Sequence, residues 1–272
     1  WALRNENYEL FPIFLTFSAQ SKDFDWSNTT TTASDGTMNL IGLIDIWKNF
    51  TPALGGKTLR SLMYWSKQEN PTAYKKIKDT SIGAYIDETL KHNLEFDIAN
   101  VVYNVYKDNY ICSSIKNNVW YEYKNGRWYE IDQGTTLRHS LSTTIYKLYR
   151  NKSNELHDQL TTIDPTTDSE QFELLKQRST RAETCAASLK KTQIKNNIMR
   201  EARDLFYERK FEELMDSHNH LLCFNNGVID FETQVFREGV PEDFNSKSTN
   251  IEYEPLDRNK HATIISEIEE FM

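Results

Sequence analysis

One stretch of this chain constrains its fold more than any other: Asn118-Val-Trp-Tyr-Glu-Tyr-Lys-Asn-Gly-Arg-Trp-Tyr-Glu-Ile131. Aromatic residues alternate with polar ones on both sides of Asn125-Gly126, the dipeptide that best accepts the positive φ angles of a tight hairpin turn. The segment therefore reads as an antiparallel hairpin, and residues 110–115 can add a third strand. A second small β unit has the same form. It runs Leu221-Leu-Cys-Phe, a turn at Asn225-Asn226-Gly227, Val228-Ile-Asp-Phe, then Gln234-Val-Phe-Arg237.

Elsewhere the apolar period is helical. Residues 2–20 carry Leu3, Leu10, Phe11, Phe14, Leu15 and Phe17, and residues 39–50 carry Leu40, Leu43, Ile44 and Trp47. The polar, Thr-rich run from Ser27 to Thr37 between them reads as a surface loop. Thr58 opens a short helix with Leu59, Leu62, Met63 and Trp65, closed by Asn70-Pro71. A helical pair follows at 81–92 and 95–107, the second burying Ile98, Val101, Val102 and Val105. Two longer stretches, Leu137 to about Leu160 and Ser169 to about Met215, are also helical. Glycine (9) and proline (6) are scarce in 272 residues, below their usual shares of about 7% and 5%, which favours helices over a turn-rich all-β fold. The expected fold is α+β, mostly helical with two small antiparallel β units. It divides into a helical module over 1–78 and an α+β domain over 79–272.

No stretch approaches the ~18–20 apolar residues of a membrane span. Three scattered cysteines, Cys112, Cys185 and Cys223, are too few for a disulfide framework and point to a reducing, intracellular setting. The chain opens on Trp1 and stops at Met272 inside the helical pattern Ile264, Ile265, Ile268, Phe271, so it reads as an internal piece of a larger protein.

The net charge of −8 argues against wholesale coating of nucleic acid, but it is unevenly spread. Residues 171–210 hold ten Lys/Arg against five Asp/Glu, while residues 211–272 hold four against fourteen. An acidic end beside a basic helical stretch suits head-to-tail contact between copies, or a basic face turned toward a polyanion. A solvated helix face explains the same residues.

Candidate chemistry is sparse. Gly56-Lys57-Thr58 invites a phosphate-loop reading, but that motif needs a glycine where Thr51 stands and a buried strand before it. A capped helix start explains the same letters. His218, His220 and Cys223 offer two or three metal ligands where a structural zinc site needs four. Asp230 with Glu232, and Glu242 with Asp243, are pairs of the kind usually found on surfaces or at caps. No nucleophile motif is present. Trp120, Tyr121, Tyr123, Trp128 and Tyr129 could stack on bases, although a two-stranded ribbon needs such cross-strand pairs simply to hold its register. The basic residues at the hairpin tip, Lys124 and Arg127, are the more functional part. The helical run Lys176, Arg178, Arg181, Lys190, Lys191, Lys195, Arg200 and Arg203 fits strand contact, subunit contact or plain solvation.

Three parts of the chain resemble a known family. The hairpin, the run Leu221–Arg237 and the following Pro241-Glu-Asp-Phe resemble the region that precedes the helicase in the primase-helicases of poxviruses and other nucleocytoplasmic large DNA viruses. Residues 1–76, especially Thr58-Leu-Arg-Ser-Leu-Met-Tyr-Trp-Ser-Lys, resemble the helical module at the C-terminal edge of the primase in the same proteins. The resemblance implies a parent with an N-terminal primase, this middle region, and a C-terminal superfamily 3 helicase that forms a hexameric ring in the host cytoplasm. NTP and Mg are implied for that parent, and no cofactor, metal ligand or catalytic residue for this piece. Its expected partners are further copies of itself and single-stranded DNA, with no membrane. Candidate nucleic-acid contacts are Lys116, Lys124, Arg127, Trp128, Lys190, Lys191 and Lys195. The alternatives are a stand-alone single-strand-binding module and a metal-dependent nuclease using His218, His220 and nearby acids.

Overall fold

The computed structural model describes residues 3–4, 7–20, 31–32, 38–39, 41–49, 59–258 and 260–271. The chain forms two compact units, Trp1–Ala84 and Tyr85–Met272.

In the first unit the helical pattern at 2–20 is interrupted at Asn7. Its backbone is extended (φ −157°) and its side chain accepts the Glu9 N–H at 2.9 Å, so it caps a new start. A single 3-10 turn, Tyr8–Leu10, leads into α1 (Phe11–Ser18). Trp47, on α2 (Ile41–Asn49), is 1% exposed. Its ring stacks on Phe14 at 5.2 Å, and its Nε1 donates to the Tyr8 carbonyl at 3.1 Å. The Thr-rich segment contains β1 (Thr31–Thr32), which pairs antiparallel with β2 (Met38–Asn39) where a loop was expected. Branched threonines favour extended backbone. Gly56-Lys57-Thr58 lies outside the described residues, as does most of Ser27–Thr37.

Asn70-Pro71 follows α3 (Leu59–Glu69), but it also starts the next helix. The Asn70 side chain accepts the Ala73 N–H at 3.0 Å, and Pro71 takes the first helical position, where its missing N–H costs nothing. The result is α4 (Pro71–His92), one 22-residue helix where a break near residue 78 was expected.

In the second unit Asn93, at φ 57°, ends α4, and α5 (Glu95–Tyr106) buries Ile98, Ala99, Val101 and Val102. A three-stranded antiparallel sheet follows: β3 (Tyr110–Ser114), β4 (Val119–Lys124) and β5 (Arg127–Asp132), with β4 central. The turn between β4 and β5 has positive φ at both Asn125 (51°) and Gly126 (76°), the geometry that matches the twist of the strands it joins. Trp120 and Trp128 are at most 1% exposed. Burying one such ring contributes about 5 kcal/mol. Trp128 packs with Ile111, Tyr121 and Phe211, its ring edge-on to Phe211 at 5.1 Å.

Gly134, at φ 67°, turns the chain from β5 into α6 (Thr135–Ser140), and a Cβ there would stand 2.9 Å from Met199 and 3.2 Å from Trp120. A π turn, Leu141–Ile145, separates α6 from α7 (Tyr146–Leu160). Helix α8 (Ser169–Ser188) returns antiparallel to α7, and at their close approach Ser153 and Ser179 each donate a hydroxyl to the other's carbonyl at 3.3 Å. The expected helix over 169–215 is broken twice. Ser188 donates its hydroxyl back to the Cys185 carbonyl, and Lys191 is extended (ψ 128°), so α9 (Thr192–Leu205) begins afresh. After Phe206 only one further turn forms, α10 (Phe211–Leu214).

The second sheet is β6 (Leu221–Phe224), β7 (Gly227–Asp230) and β8 (Val235–Arg237), again antiparallel with the middle strand central. A 3-10 turn, Pro241–Asp243, then opens an extended strap that joins the two sheets. Trp128 donates its backbone N–H to Asn245 and its indole N–H to Pro241, at 2.8 and 2.9 Å. Further along, Thr249 donates to Cys223, Asn225 donates to Ile251, and Asn226 and Tyr253 exchange two hydrogen bonds. The chain finishes in α11 (Ala262–Phe271). The α+β class expected from the sequence is the class observed. Among the described residues no helix is long and apolar enough to cross a membrane.

Candidate nucleic-acid interface

The first group of candidate residues lies on the β4–β5 hairpin. Lys116, in the β3–β4 connection, and Lys124, at the end of β4, are exposed. Arg127 is half-buried and turned toward the second sheet. Its guanidinium nitrogens lie 3.5 Å from the side-chain oxygens of Asn225 and Asn250, and its charge sits 5.3 Å from the Tyr129 ring. The hairpin tip is docked as well, because a Cβ on Gly239 would meet Gly126 at 3.1 Å. Trp128 is corrected from a base-stacking candidate to a core residue. It is 1% exposed and both its N–H groups are spent on the strap, so its ring has no face for a base.

The second group lies at the break between α8 and α9. Lys190 and Lys191 are exposed there, and Lys195 is half-buried one turn into α9. The Lys190 ammonium sits 3.9 Å above the centroid of the Tyr146 ring, a cation–π contact that holds the side chain upright. The Ser142 hydroxyl, within the π turn, donates to the Leu189 carbonyl at 2.9 Å. Arg138 on α6 donates to the Asn196 side chain on α9 at 3.1 Å. The corner carrying Lys190, Lys191 and Lys195 is thus packed against α6, the π turn and the start of α7.

Other members of the basic run hold the fold together. Arg178 bonds Asp87 at 2.7 Å, and Arg181 donates to the carbonyls of Leu90 and Lys91, both at 2.9 Å, closing the C-terminal end of α4. Lys176 pairs with Glu173 on its own helix. Arg138 and Lys147 were missed by sequence reasoning. Arg138 is a solitary cation in its stretch and Lys147 shares a short one with Arg150 and Lys152, and only tertiary packing brings either to the corner.

Acid–base and thiol groups are occupied structurally. The rings of His218 and His220 are 5.6 Å apart, and His220 Nδ1 is 3.7 Å from Glu232. Among the described residues no group of three or more His, Cys, Asp or Glu side chains is placed to hold a metal ion. Asp243 is held by Arg237 and by the Val240 N–H. All three cysteines are free and buried. Burial pushes the thiols of Cys112 and Cys185 up to about 11, which leaves them protonated and poor nucleophiles.

Comparison with known proteins gives a consistent set of relatives. Residues 99–272 match the family described as D5 N terminal like. A protein of Acanthamoeba polyphaga mimivirus with a provisional helicase name, L207/L206, is 31% identical over 214 residues, covering 79% of this chain and 22% of that protein. A protein of Frog virus 3 with a provisional helicase name, 022R, is 25% identical over 294 residues, covering 96% of this chain and 28% of that protein. A protein of African swine fever virus with a provisional primase name, C962R, is 26% identical over 203 residues, covering 65% of this chain and 20% of that protein. The chain therefore spans less than a third of the length of these curated relatives.

Proposed function

The chain belongs to the D5 N-terminal-like family, and on that premise we propose that it is the non-catalytic middle region of a viral DNA-replication primase-helicase. In this reading it joins a primase to a superfamily 3 helicase, helps the parent close into a hexameric ring in the host cytoplasm, and guides single-stranded DNA. The observation that carries the reading is the family match over residues 99–272, supported by relatives in large DNA viruses that bear helicase and primase names. The NTP and its Mg belong to the parent's helicase, and no residue here is assigned to them.

The charge distribution supports the assembly part of the reading. The acidic stretch 211–272 would face cations of 171–210 on a neighbouring copy that are exposed and carry no ion pair among the described residues, such as Arg209 and Lys210. A ring would also set equivalent basic surfaces around one channel, where modest contacts from each copy add through multivalency.

The test is to read the coding sequence on both sides of this region. A G-x-x-x-x-G-K-[ST] motif within about 150 residues after Met272 is expected, on a strand–loop–helix. A stop codon soon after Met272 would remove the motor and turn the chain into a stand-alone single-strand-binding module. The ring is tested separately by the mass of the parent protein in solution, and a strictly monomeric mass at high concentration would overturn it.

A further inference from the structure

About one residue in seven of this chain is acidic (40 of 272), yet residues 133–154 and 184–200 contain no Asp or Glu and eight Lys or Arg. These two acid-free runs are about fifty residues apart in sequence, and the fold lays one against the other. Ser142 bonds Leu189, Lys190 stands over Tyr146, and Arg138 bonds Asn196. Two of the eight cations are neutralised, since Arg150 pairs with Glu183 at 2.9 Å and Lys152 with Asp87 at 3.1 Å. The remaining six, Arg138, Lys147, Lys190, Lys191, Lys195 and Arg200, have no carboxylate within 4.0 Å among the described residues. Lys147, Lys190, Lys191 and Arg200 are exposed, and so are Thr144, Thr192 and Asn196, neutral hydrogen-bond donors on the same segments.

We infer that this corner, built by α6, the π turn and the start of α7 on one side and by the α8–α9 break on the other, binds the phosphodiester backbone of a nucleic acid strand. Uncompensated cations interleaved with hydroxyl and amide donors are what phosphate oxygens and sugars require. Tyr146, the aromatic ring identified at the corner, is half-buried beneath Lys190. Contact is therefore through the backbone, independent of base sequence, and driven by release of counterions. The inference rests on the nucleic-acid part of the proposed function and moves its centre from the hairpin tip to this corner. A π turn, a helical irregularity frequent at functional positions, sits at the seam.

The test uses the full 272-residue chain and fluorescence anisotropy with a labelled thirty-nucleotide oligothymidylate and a duplex of equal length, over a salt titration. One variant combines Lys147→Glu, Lys190→Glu and Lys191→Glu, and a milder one places Gln at the same three positions. A control combines Lys116→Glu with Lys124→Glu on the hairpin. The corner reversal is expected to weaken binding about tenfold or more and to flatten the slope of log affinity against log salt by about two. The Gln variant is expected to fall between, with unchanged circular dichroism, and the hairpin variant to lose several-fold less affinity than the corner reversal. Corner variants that bind with wild-type affinity and slope would overturn the inference. Should the hairpin control alone lose binding, the chain still binds DNA but elsewhere. No binding by the wild type even at low salt would sink the corner and the DNA-guiding role together, leaving the primase-helicase assignment to the coding-sequence test. The two oligonucleotides decide whether a single strand or a duplex supplies the phosphates.

Discussion

Arg237 grips Asp243 through two hydrogen bonds, Nη1 to Oδ2 at 2.8 Å and Nη2 to Oδ1 at 2.7 Å, and the Asp243 side chain is only 5% exposed. The pair fastens the end of β8 to the 3-10 turn whose Pro241 carbonyl receives the Trp128 indole. Removing the arginine would strand a buried carboxylate, a change worth about 3–5 kcal/mol in full burial. Because Arg237 is itself about a third exposed, a smaller loss of about 2 kcal/mol is expected for Arg237→Ala in urea unfolding. Arg237→Lys keeps the charge but not the fork, and should recover only part of it.

Two glycines should respond to alanine in opposite directions. A Cβ on Gly227 would lie 2.5 Å from the Phe236 ring and 2.6 Å from the Arg237 carbonyl, and the carbonyl belongs to the neighbouring sheet backbone. Gly227→Ala is therefore expected to cost about 2 kcal/mol or more by overpacking. A Cβ on Gly83, within α4, meets nothing within 4 Å. Gly83→Ala should stabilise by about 0.5–1 kcal/mol, since alanine loses less freedom in a helix. Paired thermal melts check both signs.

Alkaline stability should reflect the buried thiols. Cys112 and Cys185 are each pushed up to about 11 by burial, against about 8.5 in an unfolded chain. Below about 8.5 both states are protonated and stability is unaffected. Between that value and about 11 only the unfolded chain releases protons, so stability falls as pH rises. Burial also raises the Tyr149 hydroxyl, which acts with the same sign. Denaturant melts from pH 7 to 10.5 should show the decline, and Cys185→Ala should make it shallower. A flat profile would contradict the burial.

Acid stability should depend on Asp216. Burial raises its pKa, but the Ser246 hydroxyl and the backbone N–H groups of Ser246 and Lys247 outweigh that and hold it below the ordinary value. A depressed carboxylate contributes stability that is present above the unfolded pKa of about 3.9 and is lost as pH falls through the folded one. Asp216→Asn should be less stable at pH 7 and lose less on acidification, and parallel acid titrations followed by tryptophan fluorescence would show it.

The two three-stranded sheets were legible in the sequence because strand alternation and turn dipeptides such as Asn125-Gly126 are local signals with a local cause, whereas the short β1–β2 pair carries no such signal. The same alternation could assign Trp128 to a face but not to a depth, since its burial depends on a strap more than a hundred residues later. Asn70-Pro71 was ambiguous for a similar reason. A residue pair that ends one helix can equally begin the next, and only the hydrogen bond to Ala73 decides. In the candidate interface, counting charges along the chain found Lys190, Lys191 and Lys195. It gave no sign that Arg178 and Arg181, in the same run, are spent on partners in α4. Nor could it find Arg138 and Lys147, which reach the corner only through packing.

The π turn at Leu141–Ile145 holds one residue more than an α-helical turn, and each residue advances a helix by about 100°. Deleting Thr144 would let the ladder close as ordinary helix while removing no charge and no core side chain. Everything on α6 would then swing around the axis by that angle relative to α7, carrying Arg138 away from Asn196. Two chains of almost identical composition would present different surfaces, one with its cations gathered and one with them splayed. What this stretch of sequence specifies is therefore a phase, and an insertion or deletion of one residue there would matter more than most substitutions.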